Sequence, residues 1–407
     1  MTDMPSERLH ALDAARGFVL LLGIVFHATL SFLPAPVPVW IVMDSSRSLV
    51  LAGLFHVLHI FRMSTFFMLA GFFAHMSFHK KGLRGFVADR LKRIGVPLVV
   101  GWPFLFGSIV AVSIWGAMTM AHGGPMPKAP AYPGFPAFPL THLWFLYVLL
   151  LLYAATLILR GLVAAVDRRE RLRKAIDRGV RVLVKSALGF VLLAAPTAAV
   201  LYFTPPWLAW LAWFGIMTPD SSLVPNAGAA VAFFTAFGFG WLVHRDVGLL
   251  EVWKRRWPLN IALAIALTTA GFALVGVAPV LTPAPQDMAT ALYAACFALS
   301  VWTWTFALVG LALRFFSRHS AARRYIADAS YWLYLVHVPL VMALQVALSR
   351  LDWPWWVKFP LILGIAFPIL FASYQLFVRY SFIGAILNGR RESPRRRATS
   401  VLPEAAQ

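Results

Sequence analysis

Two side chains in the first apolar stretch stand where they could do chemistry together. Arg16 and His27 are eleven residues apart. At about 100° and 1.5 Å per residue, a helix puts them on one stripe, roughly 20° apart around the axis and about 16 Å apart along it. Arg16 then sits at one rim of an apolar layer, either as an anion-binding fork or as a snorkelling anchor. His27 falls near the middle, either as a general base or as a hydrogen-bonded interior histidine.

Other polar residues cluster at similar depths. His56, His59 and Arg62 follow one another at three-residue steps in the second apolar stretch and are expected to face His27. Ser330, Tyr334 and His337 occupy i, i+4 and i+7 of a late stretch, and His142 opens a middle one. Each alone reads as an interhelical hydrogen-bonding residue; jointly they suggest a polar, water-reachable cavity between helices. A metal centre is disfavoured: His75 and His79 have i, i+4 ligand spacing but no Glu or Cys nearby, and they lie beside Lys80 and Lys81. A Ser-His-Asp device lacks its carboxylate, since the apolar stretches hold almost none beyond Asp13 and Asp328 near their ends. A lone histidine acting as base remains.

The elements that must position these groups follow from composition. Of 407 residues, 60% are hydrophobic and only 13% charged, a balance foreign to soluble domains. A hydrocarbon core of about 30 Å needs ~20 apolar residues. Ten stretches qualify, at approximately 14–33, 49–73, 94–119, 140–163, 182–203, 227–244, 258–277, 289–313, 328–348 and 355–378. The expected fold is all-α and polytopic, one membrane domain over 1–387 with a disordered basic tail at 388–407.

The net charge of +20 is unevenly placed. Under alternating topology nearly all Lys and Arg fall on one side, including the runs Lys80 to Arg93, Arg160 to Lys185 and Arg314 to Arg324. Only Arg47, Lys128, Arg350 and Lys358 fall on the other. That is positive-inside bias, with both termini cytoplasmic, rather than a nucleic-acid footprint. Residues 164–181 place Leu172, Ile176 and Val180 four apart amid charges, as in a helix lying on the inner surface, and the tail arginines suit anionic lipid. Cys296, the single cysteine, excludes disulfides and thiolate metal sites. The outer loops are aromatic: Tyr132, Phe135 and Phe138 at polyproline II spacing, then Trp207, Trp210 and Trp213, then Trp353, Trp355 and Trp356. They read as a headgroup belt or, more sharply, as platforms for sugar rings.

The run LDAARGFVLLLGIVFH from Leu12 to His27 resembles the Arg-x10-His signature of the membrane-bound acyltransferase family 3. FRMSTFFMLAGFF (61–73), RLKRIGVP (90–97), HLWFLYVLL (142–150) and ASYWLYLVHVPL (329–340) fit the same family, so the likeness covers almost the whole chain. It is nearest to the branch implicated in succinylating periplasmic glucans. Ala70 stands where the family usually has serine, and HLWFL replaces the Glu-rich motif of many polysaccharide O-acetylases. The resemblance implies an inner-membrane O-acyltransferase with Arg16 and His27 as its functional pair and Arg90 and Arg93 as loop arginines.

The expected mechanism joins the two readings. Cytoplasmic acyl-CoA, acetyl or succinyl, lays its phosphates against Arg16, Arg90 and Arg93. Its thioester reaches His27, which deprotonates a hydroxyl of a periplasmic glucan or other glycan. Direct attack and a transient acyl-histidine use the same residue. Arg62, His59 or His337 are candidates to face the oxyanion, and with Tyr334 and His142 form the expected substrate-binding set. Acyl-CoA is a co-substrate here, and no bound cofactor or metal is expected. The rival is a proton-coupled transporter or flippase, and a third reading is a non-catalytic subunit of glucan-synthesis machinery.

Overall fold

The computed structural model describes residues 6–35, 40, 42–120, 134–204 and 211–389. Within them the chain is all-α, with an isolated bridge between Ala137 and Ser222. The helices are α1 (Ser6–Thr29), α2 (Leu49–Arg90), α3 (Val96–Met120), α4 (Trp144–Val166), α5 (Arg171–Lys185), α6 (Gly189–Phe203), α7 (Ala227–Val243), α8 (Leu250–Val275), α9 (Met288–Phe315), α10 (Ala321–Ser349), α11 (Trp355–Ser373) and α12 (Phe382–Leu387). Polar caps fix several starts. Ser48 accepts from Leu51 N at 3.2 Å, Asn226 from Ala229 N at 2.9 Å and Asp287 from Thr290 N at 2.8 Å, each satisfying an otherwise orphaned donor.

Seven helical segments are long and apolar enough to cross a membrane, or up to eight if the pair α5 and α6, bent by 102°, makes one span. The protein is a multi-pass membrane protein. The difference from ten lies in two segments counted once each, Leu49–Met120 with 72 residues and Ala227–Val275 with 49. Straight, they would measure about 108 and 74 Å against a core of about 30 Å, and they contain the apolar stretches of α2 with α3 and of α7 with α8.

The run from Lys80 to Arg93, expected as a loop, is helical. α2 continues to Arg90, a π-helical turn covers Leu91–Gly95, and Gly82 (φ 65°, ψ 179°) is where α2 leaves helical geometry. The helix breaks at Gly82, whose positive φ glycine adopts readily, and with no proline in residues 80–94 it resumes directly afterwards. α5 begins at Arg171 rather than 164, because α4 runs on to Val166 and the buried Asp167 caps the N–H groups of Leu172 and Arg173 at 3.1 and 2.9 Å.

α1 packs between α2 and α10, and α2 runs beside α7. The α2–α7 approach is backbone to backbone. A Cβ on Gly71 would lie 1.9 Å from the Phe237 carbonyl, and one on Gly240 1.8 Å from that of Met68, so only glycine admits this spacing.

The aromatic residues of the connecting loops divide. Trp213, expected at a surface, is buried against Phe55, His56 and Phe214 and is core. Phe138 packs on Trp102 while Phe135 is exposed, so the two do not share one open edge. Trp353 and Trp356 are exposed. Tyr132, Trp207, Trp210 and the tail beyond Gly389 lie outside the described residues.

Candidate active site

His27 sits in the last turn of α1 and is partly buried. Its Nδ1 lies 2.8 Å from the Gly23 carbonyl and 2.9 Å from His337 Nε2. His337 is buried, and its Nδ1 is 2.7 Å from the Tyr334 carbonyl. A carbonyl can only accept, so His337 Nδ1 carries the proton and, in the neutral ring, Nε2 is left as acceptor. The proton between the two rings therefore belongs to His27 Nδ1. His27 Nε2 keeps its lone pair and has no hydrogen-bond partner among the described residues. This tautomer follows from the partners, and it is the one a base needs.

Two residues that the sequence reading did not single out complete the frame. Gln345 donates to the carbonyls of His27 and Ala28 at 3.2 and 3.1 Å, and its Oε1 accepts from Trp40 Nε1 at 3.0 Å. Trp40 lies nearly parallel to the imidazole, 5.8 Å between centroids and 20° between planes. Gln345 is eleven residues from Tyr334 on α10, the same spacing as Arg16 and His27 on α1, and that was a usable signal. Trp40 gave none, since its position depends on how the loop between α1 and α2 closes.

Arg62 reaches the same place from α2. Its guanidinium stands 4.6 Å above the Phe26 ring, and a Cβ on Gly23 would meet Nη1 at 2.9 Å. Glycine at 23 is thus what lets this side chain lie beside the His27 turn. Arg62 is 7% exposed, its Nε has no hydrogen-bond partner, and no carboxylate pairs with it among the described residues. His59 stacks on Phe26 and bonds the Ile216 carbonyl at 2.8 Å. His56 departs from the expected stripe and sits among Trp213, Phe272, Tyr293 and Phe297. Steps of three residues drift by about 60° each, so two steps turn His56 to another face than Arg62.

His142 and Tyr334 hold α10 in place. Pro339 has no N–H, which leaves the Leu335 carbonyl four residues earlier without its helical partner. His142 Nε2 donates to it at 2.8 Å, and Tyr334 Oη donates to the His142 carbonyl at 2.6 Å. The His142 and His337 rings are 5.7 Å apart. The same device recurs at the other end. Pro97 frees the Arg93 carbonyl, which accepts from Tyr331 Oη at 2.8 Å.

That end gathers the arginines. Arg16 pairs with Asp13 at 3.1 Å and lies 5.2 Å from the Phe73 centroid. Arg93 bonds the Leu387 carbonyl at 3.1 Å and stands within electrostatic range of Arg90, Asp89 and Arg16. Arg90 lies over Phe86 and Tyr153, with a buried Nε that has no partner. Arg90 and Arg93 are therefore helical residues rather than loop residues, fixed relative to Arg16.

His75 and His79 also meet a partner. His75 Nδ1 is 2.8 Å from His244 Nδ1, and its Nε2 is 3.1 Å from His79. The two contacts use opposite edges of one ring, so a single ion cannot touch all three, and among the described residues no group of three or more ligands could hold a metal.

The acyltransferase domain model of acyltransferase family 3 matches residues 9–375. The glucans biosynthesis protein C of Escherichia coli SMS-3-5 is 34% identical over 105 residues, and that of Escherichia coli K12 33% over 105, in each case 26% of this chain and 26% of the relative. The match thus spans about a quarter of those relatives. No solved structure matches the chain. A domain match running from the first turn of α1 to just past α11 settles the assignment: the chain belongs to acyltransferase family 3.

Proposed function

We propose that this protein is an inner-membrane O-acyltransferase that moves an acyl group from cytoplasmic acyl-CoA, acetyl or succinyl, to a hydroxyl of a periplasmic glucan or other glycan, with His27 as base. The observation that carries the reading is the unoccupied lone pair of His27 Nε2, oriented by Nδ1–H bonding to Gly23 and His337. Both termini are assigned to the cytoplasm, from the positive-inside distribution of Lys and Arg.

Arg16, with Arg90 and Arg93, receives the donor's phosphates, and the pantetheine arm runs along α1 for the about 16 Å to His27. His27 Nε2 takes the acceptor's hydroxyl proton as its oxygen attacks the thioester carbonyl. Arg62, a buried cation without a counter-ion among the described residues, faces the negative charge that develops on the carbonyl oxygen. The C–S bond then breaks, and the leaving thiolate takes the proton back from Nε2. Among the described residues no carboxylate orients the base; the neutral His337 does so, accepting from Nδ1–H while His27 is transiently cationic. His59, His142 and Tyr334 shape the substrate-binding walls. The glucan acceptor is taken from the glucans biosynthesis proteins, which this chain matches over about a quarter of their length.

The test is donor turnover by the purified full chain in lipid nanodiscs. Release of free CoA, with a new ester on an added glucan, is the expected outcome. Movement of an unmodified solute across the bilayer with no ester formed would replace this reading with a transporter.

A further inference from the structure

One basic pocket is not used by the steps above. It lies at the cytoplasmic end between the start of α1 and the α9–α10 connection, lined by His10, Asp13, Arg318, His319, Ser320 and Arg323. His10 and His319 meet edge to face, 5.2 Å between centroids. Arg323 is half-buried, its Nη2 bonded to the Arg318 carbonyl and its guanidinium 5.5 Å from the Phe316 centroid. Neither Arg318 nor Arg323 pairs with a carboxylate among the described residues. The pocket's one acid, Asp13, is engaged with Arg16 at 3.1 Å, and Arg324, which also lines it, is engaged with Asp328 at 3.1 Å. The pocket also contains the start of the 29-residue α10. Ser320 caps the N–H of Arg323, while those of Ala321 and Ala322 remain for an anion.

From these residues we infer that the pocket is the subsite for the 3′-phosphorylated ribose of the acyl-CoA donor, an inference that rests on the donor assignment above. Its direction follows from α1. If the pyrophosphate is held at Arg16 and the thioester lies about 16 Å toward His27, the rest of the nucleotide must extend the other way along the helix. Asp13 and His10 are the next turns in that direction, about 5 and 9 Å below Arg16, and the arginines of the α9–α10 connection stand beside them. Two guanidiniums with no carboxylate partner among the described residues and a long helix's N-terminus form a site for a phosphate monoester dianion. The 3′-phosphate is the donor's only group of that kind.

The test compares acyl-CoA with its 3′-dephospho analogue on the purified full chain in nanodiscs, for the wild type, Arg318→Gln and Arg323→Gln. The wild type should show a KM about tenfold higher for the dephospho donor, with kcat unchanged. Each variant should raise KM for acyl-CoA by about the same factor and add little to that for the dephospho donor, while Arg323→Lys recovers part of the loss. Equal KM for the two donors in the wild type would overturn the subsite, and that arm does not depend on any variant folding. A KM set by the phosphatidylglycerol content of the nanodisc rather than by the 3′-phosphate would overturn it in favour of a lipid headgroup. Failure of the donor assignment itself is distinct, because neither donor would then be turned over.

Discussion

Lys358 and Arg62 are both cations sunk among apolar side chains, and the protein treats them in opposite ways. Lys358, at the start of α11, is fully buried and pairs with the buried Asp44 at 2.8 Å. Asp44 in turn accepts from Ser46 N at 2.8 Å, and Ser46 Oγ accepts from Trp355 N at 2.8 Å, so the charge is closed within a framework pinning the α1–α2 loop to α11. Arg62 is nearly as buried, with an aromatic face and a glycine for neighbours and no acid among the described residues. Desolvating an ion costs several kcal/mol, which a good pair offsets and a ring face offsets only in part. The first arrangement is complete without a ligand. The second leaves its charge uncompensated among the described residues, and it stands beside His27, whose Nε2 has no hydrogen-bond partner there.

The contrast can be broken at either end. Removing one partner of a closed pair leaves the other charge buried and uncompensated. Asp44→Ala should therefore cost about 3–5 kcal/mol of stability, read as a large fall in melting temperature, with turnover per folded molecule nearly unchanged. Arg62→Met should do the reverse, lowering kcat about 10²–10³-fold while melting holds or rises, since an unpaired charge is removed. Loss of melting temperature in Arg62→Met with normal kcat would make Arg62 another structural cation. Gly23→Ala is the mildest change. Its Cβ displaces the Arg62 guanidinium by a fraction of an ångström, so kcat should fall about tenfold, and Arg62→Met made on top should add less than it does in the wild type.

The polar site was legible in the sequence where one helix carries it. Arg16, His27, Tyr334 and His337 lie on straight helical stripes, and periodicity fixes their faces before any tertiary contact is known. Three-residue steps were read too literally, which is why His56 was expected beside His27 and instead turns toward α8 and α9. The basic run of α2 was read as a loop because its composition is polar, but charged residues are good helix formers and no proline intervenes. The proline-freed carbonyls of Leu335 and Arg93 could be located from sequence, though not the His142 and Tyr331 side chains that cap them. The place of Trp40 over His27 and the burial of the Asp44 pair depend on loop closure across more than 300 residues of chain, for which periodicity offers nothing.

The most direct measurement is CoA release by purified His27→Ala protein of wild-type melting temperature, at saturating acyl-CoA and acceptor. A fall of about 10²–10⁴-fold in kcat, with KM for acyl-CoA within a few-fold of wild type, is expected for the loss of a base that does not hold the donor's phosphates. Turnover close to wild type in that folded variant would contradict the assignment of His27 Nε2 as the group that takes the proton.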